Sequence, residues 1–188
     1  MVKLGKKGIG TRAVWCLAVF IAIAYFGISG VLASQPRPAS PLTYGTLYFA
    51  VTDRPNAIGD FTSLTVSVSK ISIHSASDNL ENTWLDFTPS IDNFDLVSLE
   101  SGDIQILVST PLQTGRYTQV RLVVTSAVGI LKTGGTENVT VPSGELKLVQ
   151  SFQIEENKTT TFVFDLNVVK TGNNAYMLSP VAGKVTIE

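Results

Sequence analysis

Two hydrophobic patterns divide this chain. Residues 13–33, AVWCLAVFIAIAYFGISGVLA, form an apolar run without charge or alternation. As a helix rising 1.5 Å per residue, it would span about 31 Å, close to the roughly 30 Å hydrocarbon core of a bilayer. From Tyr44 onward, apolar positions recur every second residue, the period of a half-buried strand. Leu47, Phe49 and Val51 alternate with Thr46, Tyr48 and Ala50. The turn residues Asp53-Arg54-Pro55-Asn56 end that strand. Leu64, Val66 and Val68 continue the alternation, and Ile71 and Ile73 take the opposite phase. One extra residue near Ser69-Lys70 predicts a β-bulge or bend there.

Further strands are expected at 84–87, 94–99, 117–125, 146–154, 159–167, 176–178 and 181–187. Residues 102–109 read as a strand or a helical turn. Residues 128–131 lead into a hairpin at Thr133-Gly134-Gly135-Thr136, with 139–141 returning. Nothing after Gly45 sustains a 3.6-residue period for three turns. Strands at 8–12-residue spacing with turn signals between them predict an all-β sandwich or barrel. Between the two patterns, residues 34–43 (SQPRPASPLT) place three prolines in ten residues, a semi-rigid linker that cannot continue a helix.

Charge gives the apolar run a direction. Lys3, Lys6, Lys7 and Arg12 precede it with no acidic residue among residues 1–12, so the positive-inside rule predicts the N-terminus in and the domain out. Three fates of the segment are open. It is retained as an anchor, cut after Ala33 as a secretory signal, or cut near Gly8 after Lys6-Lys7. The last resembles the class III signal of archaeal pilins and surface binding proteins, although the early glutamate of many pilins is missing. The single cysteine, Cys16, lies in the run with no lipobox before it. The domain at 44–188 therefore has no disulfide framework and must be held by its core.

After Ser34 come ten basic and all fifteen acidic residues, leaving that part at net −5 with its cations scattered singly. Such a surface is a poor binder of nucleic acid, whose phosphates need clustered Lys and Arg.

Leu112-Gln113-Thr114-Gly115-Arg116-Tyr117 has the spacing Leu-x-x-Gly-x-Tyr of a tyrosine corner. In Greek-key sandwiches that tyrosine hydroxyl bonds to backbone a few residues upstream while its ring joins the core. Leu112, Gly115 and Tyr117 are therefore expected to be structural, in an immunoglobulin-like Greek-key β-sandwich preceded by one transmembrane or signal helix.

Catalytic signals are sparse. The one histidine, His74, ends a predicted strand, and no Gly-x-Ser-x-Gly nucleophile turn is present. Asp53, Asp60, Asp78, Asp86, Asp92, Asp95 and Asp103 crowd the first half of the domain. Neither Asp92-Asn93-Phe94-Asp95 nor Asp78-Asn79-Leu80-Glu81-Asn82 completes a calcium loop. No catalytic residue, metal or cofactor is implied, and the reading is of a non-enzyme. Asn138-Val139-Thr140 and Asn157-Lys158-Thr159 are sequons, so Asn138 and Asn157 are glycan acceptors for an exported chain. Tyr44, Tyr48, Phe61, Trp84, Phe87, Phe94 and Tyr176 are available to line a carbohydrate surface, though a sandwich places most aromatics in its core.

A family resemblance covers nearly the whole domain. Its blocks, in order, include Val51-Thr52-Asp53-Arg54-Pro55, the Val66–His74 run, Trp84 and Phe94-Asp95-Leu96-Val97. Gly115-Arg116-Tyr117-Thr118-Gln119-Val120-Arg121-Leu122, Pro142-Ser143-Gly144, Phe164-Asp165-Leu166 and Leu178-Ser179-Pro180-Val181 follow. The chain resembles the DUF4382 family of exported β-sandwich domains with no assigned activity. The resemblance implies a fold and a location.

Three roles are compatible with all this. One is a structural, adhesive or ligand-binding surface module, held at the membrane through residues 13–33 or secreted, meeting a surface polymer or glycan. The second is a subunit of a self-associating filament, formed through the helix in a pilus core or by adding residues 44–52 to a neighbour's sheet. The third is a glycan-active hydrolase, which needs two carboxylates facing across a cleft.

Overall fold

The structure, a computed structural model, describes residues 41–53, 56–76 and 83–188. The expected helix at 13–33, with Gly8 and Ala33, lies outside the described residues, as do Arg54-Pro55 and residues 77–82. Residues 42–188 form a compact unit. The described part of the chain is all-β.

Its strands are β1 (Tyr44–Asp53), β2 (Phe61–Ser75), β3 (Trp84–Phe87), β4 (Asn93–Asp95), β5 (Gln105–Gln113), β6 (Gly115–Leu131), β7 (Thr136–Asn138), β8 (Glu145–Ile154), β9 (Thr159–Lys170) and β10 (Tyr176–Ile187). They form two sheets. The first has the order β10-β9-β1-β5. The second centres on β2 and β6. β3 and β4 pair with the outer edge of β2, and β7 and β8 with the outer edge of β6.

Alternation sets what each strand buries. On β1, Leu47, Phe49 and Val51 are fully buried, and on β9 so are Phe162, Phe164, Leu166 and Val168. The predicted irregularity in β2 appears as register shifts on both sides of Val68, with Ser69 and Lys70 both exposed. Two solvent-facing residues in a row carry the phase change between Val68 and Ile71. An aromatic chain crosses the core. Tyr117 stacks on Phe152 at 5.4 Å, Phe152 meets Phe162 at 5.0 Å, and Phe162 stacks on Phe49 at 5.8 Å.

Four expectations are corrected. Residues 94–99 are not one strand, because β4 stops at Asp95 and Leu96–Leu99 form a 3-10 turn. Asp95 causes the switch, since its carboxylate accepts the Val97 N–H (3.1 Å) and caps the turn. Leu96 and Leu99, three apart and on one side of such a turn, are both buried. Of the two readings of residues 102–109 the strand holds, with other bounds: β5 starts at Gln105 and runs on through Pro111 to Gln113. The return strand after the glycine hairpin is Thr136–Asn138 rather than 139–141. Thr140 instead bridges Met177 on β10. Last, the pairs 117–125/128–131 and 176–178/181–187 are each one strand, β6 and β10, and β10 has a register shift between Val181 and Lys184.

The two long sides of the sandwich are built differently. On one side, β10 is stitched to the other sheet's flank. The Gln150 amide on β8 donates to the Gly183 carbonyl (2.9 Å) and accepts the Gly183 N–H (2.8 Å). The Thr140 N–H donates to the Tyr176 carbonyl, and the Leu178 N–H to that of Thr140. A Cβ at Gly183 would lie 2.7 Å from the Val163 carbonyl oxygen, so this close seam requires glycine. On the other side, β3 and β5 are the flanking edges. A backbone link here is Ser90, whose N–H and hydroxyl both donate to the Leu107 carbonyl (2.8 and 2.9 Å).

Candidate functional site

Between those flanking edges lies a groove of about 370 Å³. Its walls come from Tyr44 at the start of β1, from β3, and from Pro111-Leu112-Gln113 at the end of β5. β3 alternates strictly. Leu85 and Phe87 pack against the core, and Trp84 and Asp86 point the other way.

Trp84 is held in place. The Arg121 guanidinium lies 3.8 Å from the centre of its ring, a cation–π contact. The His74 ring sits 4.8 Å away, tilted 60°. Register explains the cluster, because His74 pairs with both Trp84 and Gln119, and Ser72 pairs with both Asp86 and Arg121. His74 Nδ1 is 3.1 Å from the Thr118 hydroxyl. Asp86 accepts the Ser72 hydroxyl on Oδ1 (2.6 Å) and the Lys70 ammonium on Oδ2 (3.1 Å). These two donors, Ser72 first, hold the Asp86 carboxyl below the usual aspartate value.

Tyr117 supports the groove from inside. It is fully buried, and its hydroxyl donates to the Gln113 carbonyl at 2.8 Å. Burial pushes its phenol up to about 12. Leu112 is buried beside it, and Gly115 at the turn takes φ 150°, outside the range of most L-residues. Tyr44 begins β1, half exposed at 50%.

The other aromatics divide between core and surface. Phe61, Phe94 and Tyr176 are buried, and Phe87 packs against the core. Asn138 is exposed at the end of β7, and Asn157 is exposed in the β8–β9 turn at φ 57°.

Asp53 and Asp165 line one concavity, of about 760 Å³, and are 3% and 7% exposed. In the parallel β1–β9 ladder Asp165 is opposite Thr52, and Asp53 is opposite Leu166. Asp53 is the last residue of β1, and the two carboxylates reach that one concavity from neighbouring strands. Asp60 pairs elsewhere. It accepts the Tyr176 hydroxyl (2.7 Å) and the Lys170 ammonium (3.3 Å), and its carboxyl is held low by them in that order. Among the described residues, no three His, Cys, Asp or Glu side chains gather as metal ligands. Residues 46–51 of β1 are already paired on both sides, to β5 and to β9.

The described residues define a two-sheet, all-β domain whose surface groove is lined by rings and polar groups. Residues 44–180 match DUF4382, described as a domain of unknown function, and the chain belongs to that family. Among solved structures it is similar to a candidate cell adhesion protein from Bacteroides eggerthii. The two are 10% identical, the match covers 77% of this chain and 54% of that one, and the TM-score is 0.35. The match thus spans about half the length of that protein. No curated protein matches.

Proposed function

We propose that this protein is a non-catalytic surface module displayed outside the cytoplasm, anchored by residues 13–33 or released from them, with an adhesive or ligand-binding role. The observation that carries this reading is the uncharged 21-residue run behind an all-basic leader, followed by a Pro-rich linker and a mildly acidic β domain. The sandwich type we propose is the immunoglobulin-like Greek key. The Tyr117–Gln113 hydrogen bond supports it, as does the return of β9 to lie beside β1.

The test is protease shaving of intact cells, with N-terminal sequencing of the recovered chain. The domain is expected to be cleaved without lysis. A start at Met1 identifies an anchor, one at Ile9 pilin-type processing, and one at Ser34 secretion. A domain degraded only after lysis would sink the reading.

A further inference from the structure

We propose that the outer face of the β2–β6 sheet binds a carboxylated polysaccharide along a stripe of cations from Lys70 to Arg116. This deepens the surface-module reading and rests on it. The ten basic residues after Ser34 stand singly along the sequence, and the fold brings four of them to this one face. Register does the gathering. Arg121 on β6 is opposite both Ser72 on β2 and Lys147 on β8, and Ser72 is opposite Asp86 on β3. Two residues further along β6, Val123 is opposite Lys70 and Glu145. Val120, Leu122 and Leu146 between these positions are buried, so the set faces outward. Arg116 is exposed beside buried Tyr117, and its guanidinium donates to the Ser151 hydroxyl on β8 (3.2 Å). Lys70, Arg116, Arg121 and Lys147 thus stand against Asp86 and Glu145. Four cations with two anions make this stretch positive, on a part of the chain that is net negative.

The stripe alternates, and the alternation selects the ligand. Residues 116–123 of β6 cover about 24 Å at about 3.4 Å per residue. The Lys70 and Lys147 side chains are 46% and 51% exposed, and their ammonium groups lie 3.1 and 3.4 Å from Asp86 and Glu145. An ammonium has three donors, so each lysine keeps capacity for a ligand carboxylate. Between the cations stand neutral groups, Gln119 and, opposite it, the exposed Val149. A polysaccharide of acid sugars matches this order. Its carboxylates meet the cations, its hydroxyls meet the Gln119 amide, and the C–H faces of its rings lie on Val149. Trp84 reports the event, because the Arg121 guanidinium lies 3.8 Å from the centre of its ring. A carboxylate drawn to Arg121 changes the surroundings of the indole.

Other polyanions fit less well. Duplex DNA carries one charge per about 1.7 Å of its axis, and an anionic bilayer is a continuous plane of phosphates. Either would press phosphates onto Asp86 and Glu145, which interrupt the stripe. Acid groups spaced by hydroxyls step over them. A neutral glycan makes no use of the cation excess.

The test is affinity electrophoresis of the full chain in mild detergent. The gels contain polygalacturonate or alginate, with fully methyl-esterified pectin as the same kind of chain with its carboxylates capped. At least one uronate polymer is expected to retard the protein, and the esterified pectin is not. In a Trp15→Phe background Trp84 is the last tryptophan. Titration with the retarding polymer is expected to change its fluorescence saturably. Salt at 1 M, where the Debye length is about 3 Å, is expected to remove that change. Lys147→Glu on β8 and Lys70→Glu on β2 are each expected to weaken binding about tenfold, as like charges are brought together. Lys132→Glu, the same charge change just past the far end of β6, is expected to leave binding as it was. The proposal is overturned by no retardation in either uronate gel, by equal retardation in esterified pectin, or by binding that persists in 1 M salt. It is also overturned if either reversed protein, shown to be folded by circular dichroism, binds as the parent does. Tighter binding of duplex DNA or of phosphatidylglycerol vesicles would overturn it in favour of those partners. A protein that is shaved from cells and binds neither uronate polymer loses this inference and keeps the surface reading. One that binds them and is shielded in intact cells does the reverse.

Discussion

Along one side of this sandwich the sheets are hydrogen-bonded across their edges; along the other they part around a groove. The joined side uses Gln150 as a fork on Gly183 and Thr140 as a bridge to β10. The parted side uses Ser90, Pro111 and a four-residue edge strand. Both solve the same problem, the exposed row of backbone groups at a sheet edge. The first solution spends the edge on stability. The second blunts the edge and leaves a groove between the sheets.

Substitutions on the joined side should therefore cost the most stability. Gly183→Val forces a side chain against the Val163 carbonyl and the Phe162 ring, and a loss of about 3 kcal/mol is expected. Gln150→Ala leaves both backbone groups of Gly183 without the fork and should cost about 1–3 kcal/mol. Denaturant midpoints at constant m-value measure both. A neutral result for either would remove the distinction between the sides.

Tyr117→Phe comes next, since its hydroxyl ties the Gln113 wall of the groove to the core. At neutral pH the loss should be about 1 kcal/mol. In alkali the order reverses. The folded phenol is raised to about 12 from an ordinary 10.0. The stability it confers is therefore complete below about pH 10 and is lost as pH rises from there through the folded value. The parent should lose stability in that window and the phenylalanine variant less of it, as a pH series of urea melts would reveal.

The smallest stability effect is expected at Pro111, which is exposed on the parted side. Pro111→Thr should shift stability by less than about 0.5 kcal/mol but restore a backbone donor to an edge strand. Concentration-dependent self-association by analytical ultracentrifugation is the expected signature, and a variant that stays monomeric would show that Pro111 does not guard this edge.

Much of the fold was legible in alternation. The strand from Tyr44, the bulge beside Ser69 and the central run through Tyr117 follow from local period alone. What escaped was non-local or side-chain driven. The parallel pairing of β1 with β9 joins segments over a hundred residues apart, and nothing in either strand names its partner. The turn at Leu96–Leu99 was hidden because Phe-Asp-Leu-Val reads as strand until Asp95 is seen to cap it. Gln150 looks like an ordinary surface residue of β8, and only the approach of β10 gives it a task. The groove was half visible. Trp84 and Tyr44 stood out as aromatics, but the groove itself depends on β3 and β5 flanking the same side, which no spacing encodes.

The chain's entry into the domain has a mechanical consequence. The Thr43 carbonyl accepts the Thr114 N–H, the two threonine hydroxyls are 2.6 Å apart, and the Thr46 N–H reaches Lys158 across the β8–β9 turn. Tension arriving through residue 43 therefore runs lengthwise into β1, whose bonds to β5 and β9 lie across that direction. The ladders are loaded in shear, many bonds at once, instead of being peeled one at a time. Tyr44 and Gln113 lie beside this entry point, so a load applied at them reaches residue 43 over a short path.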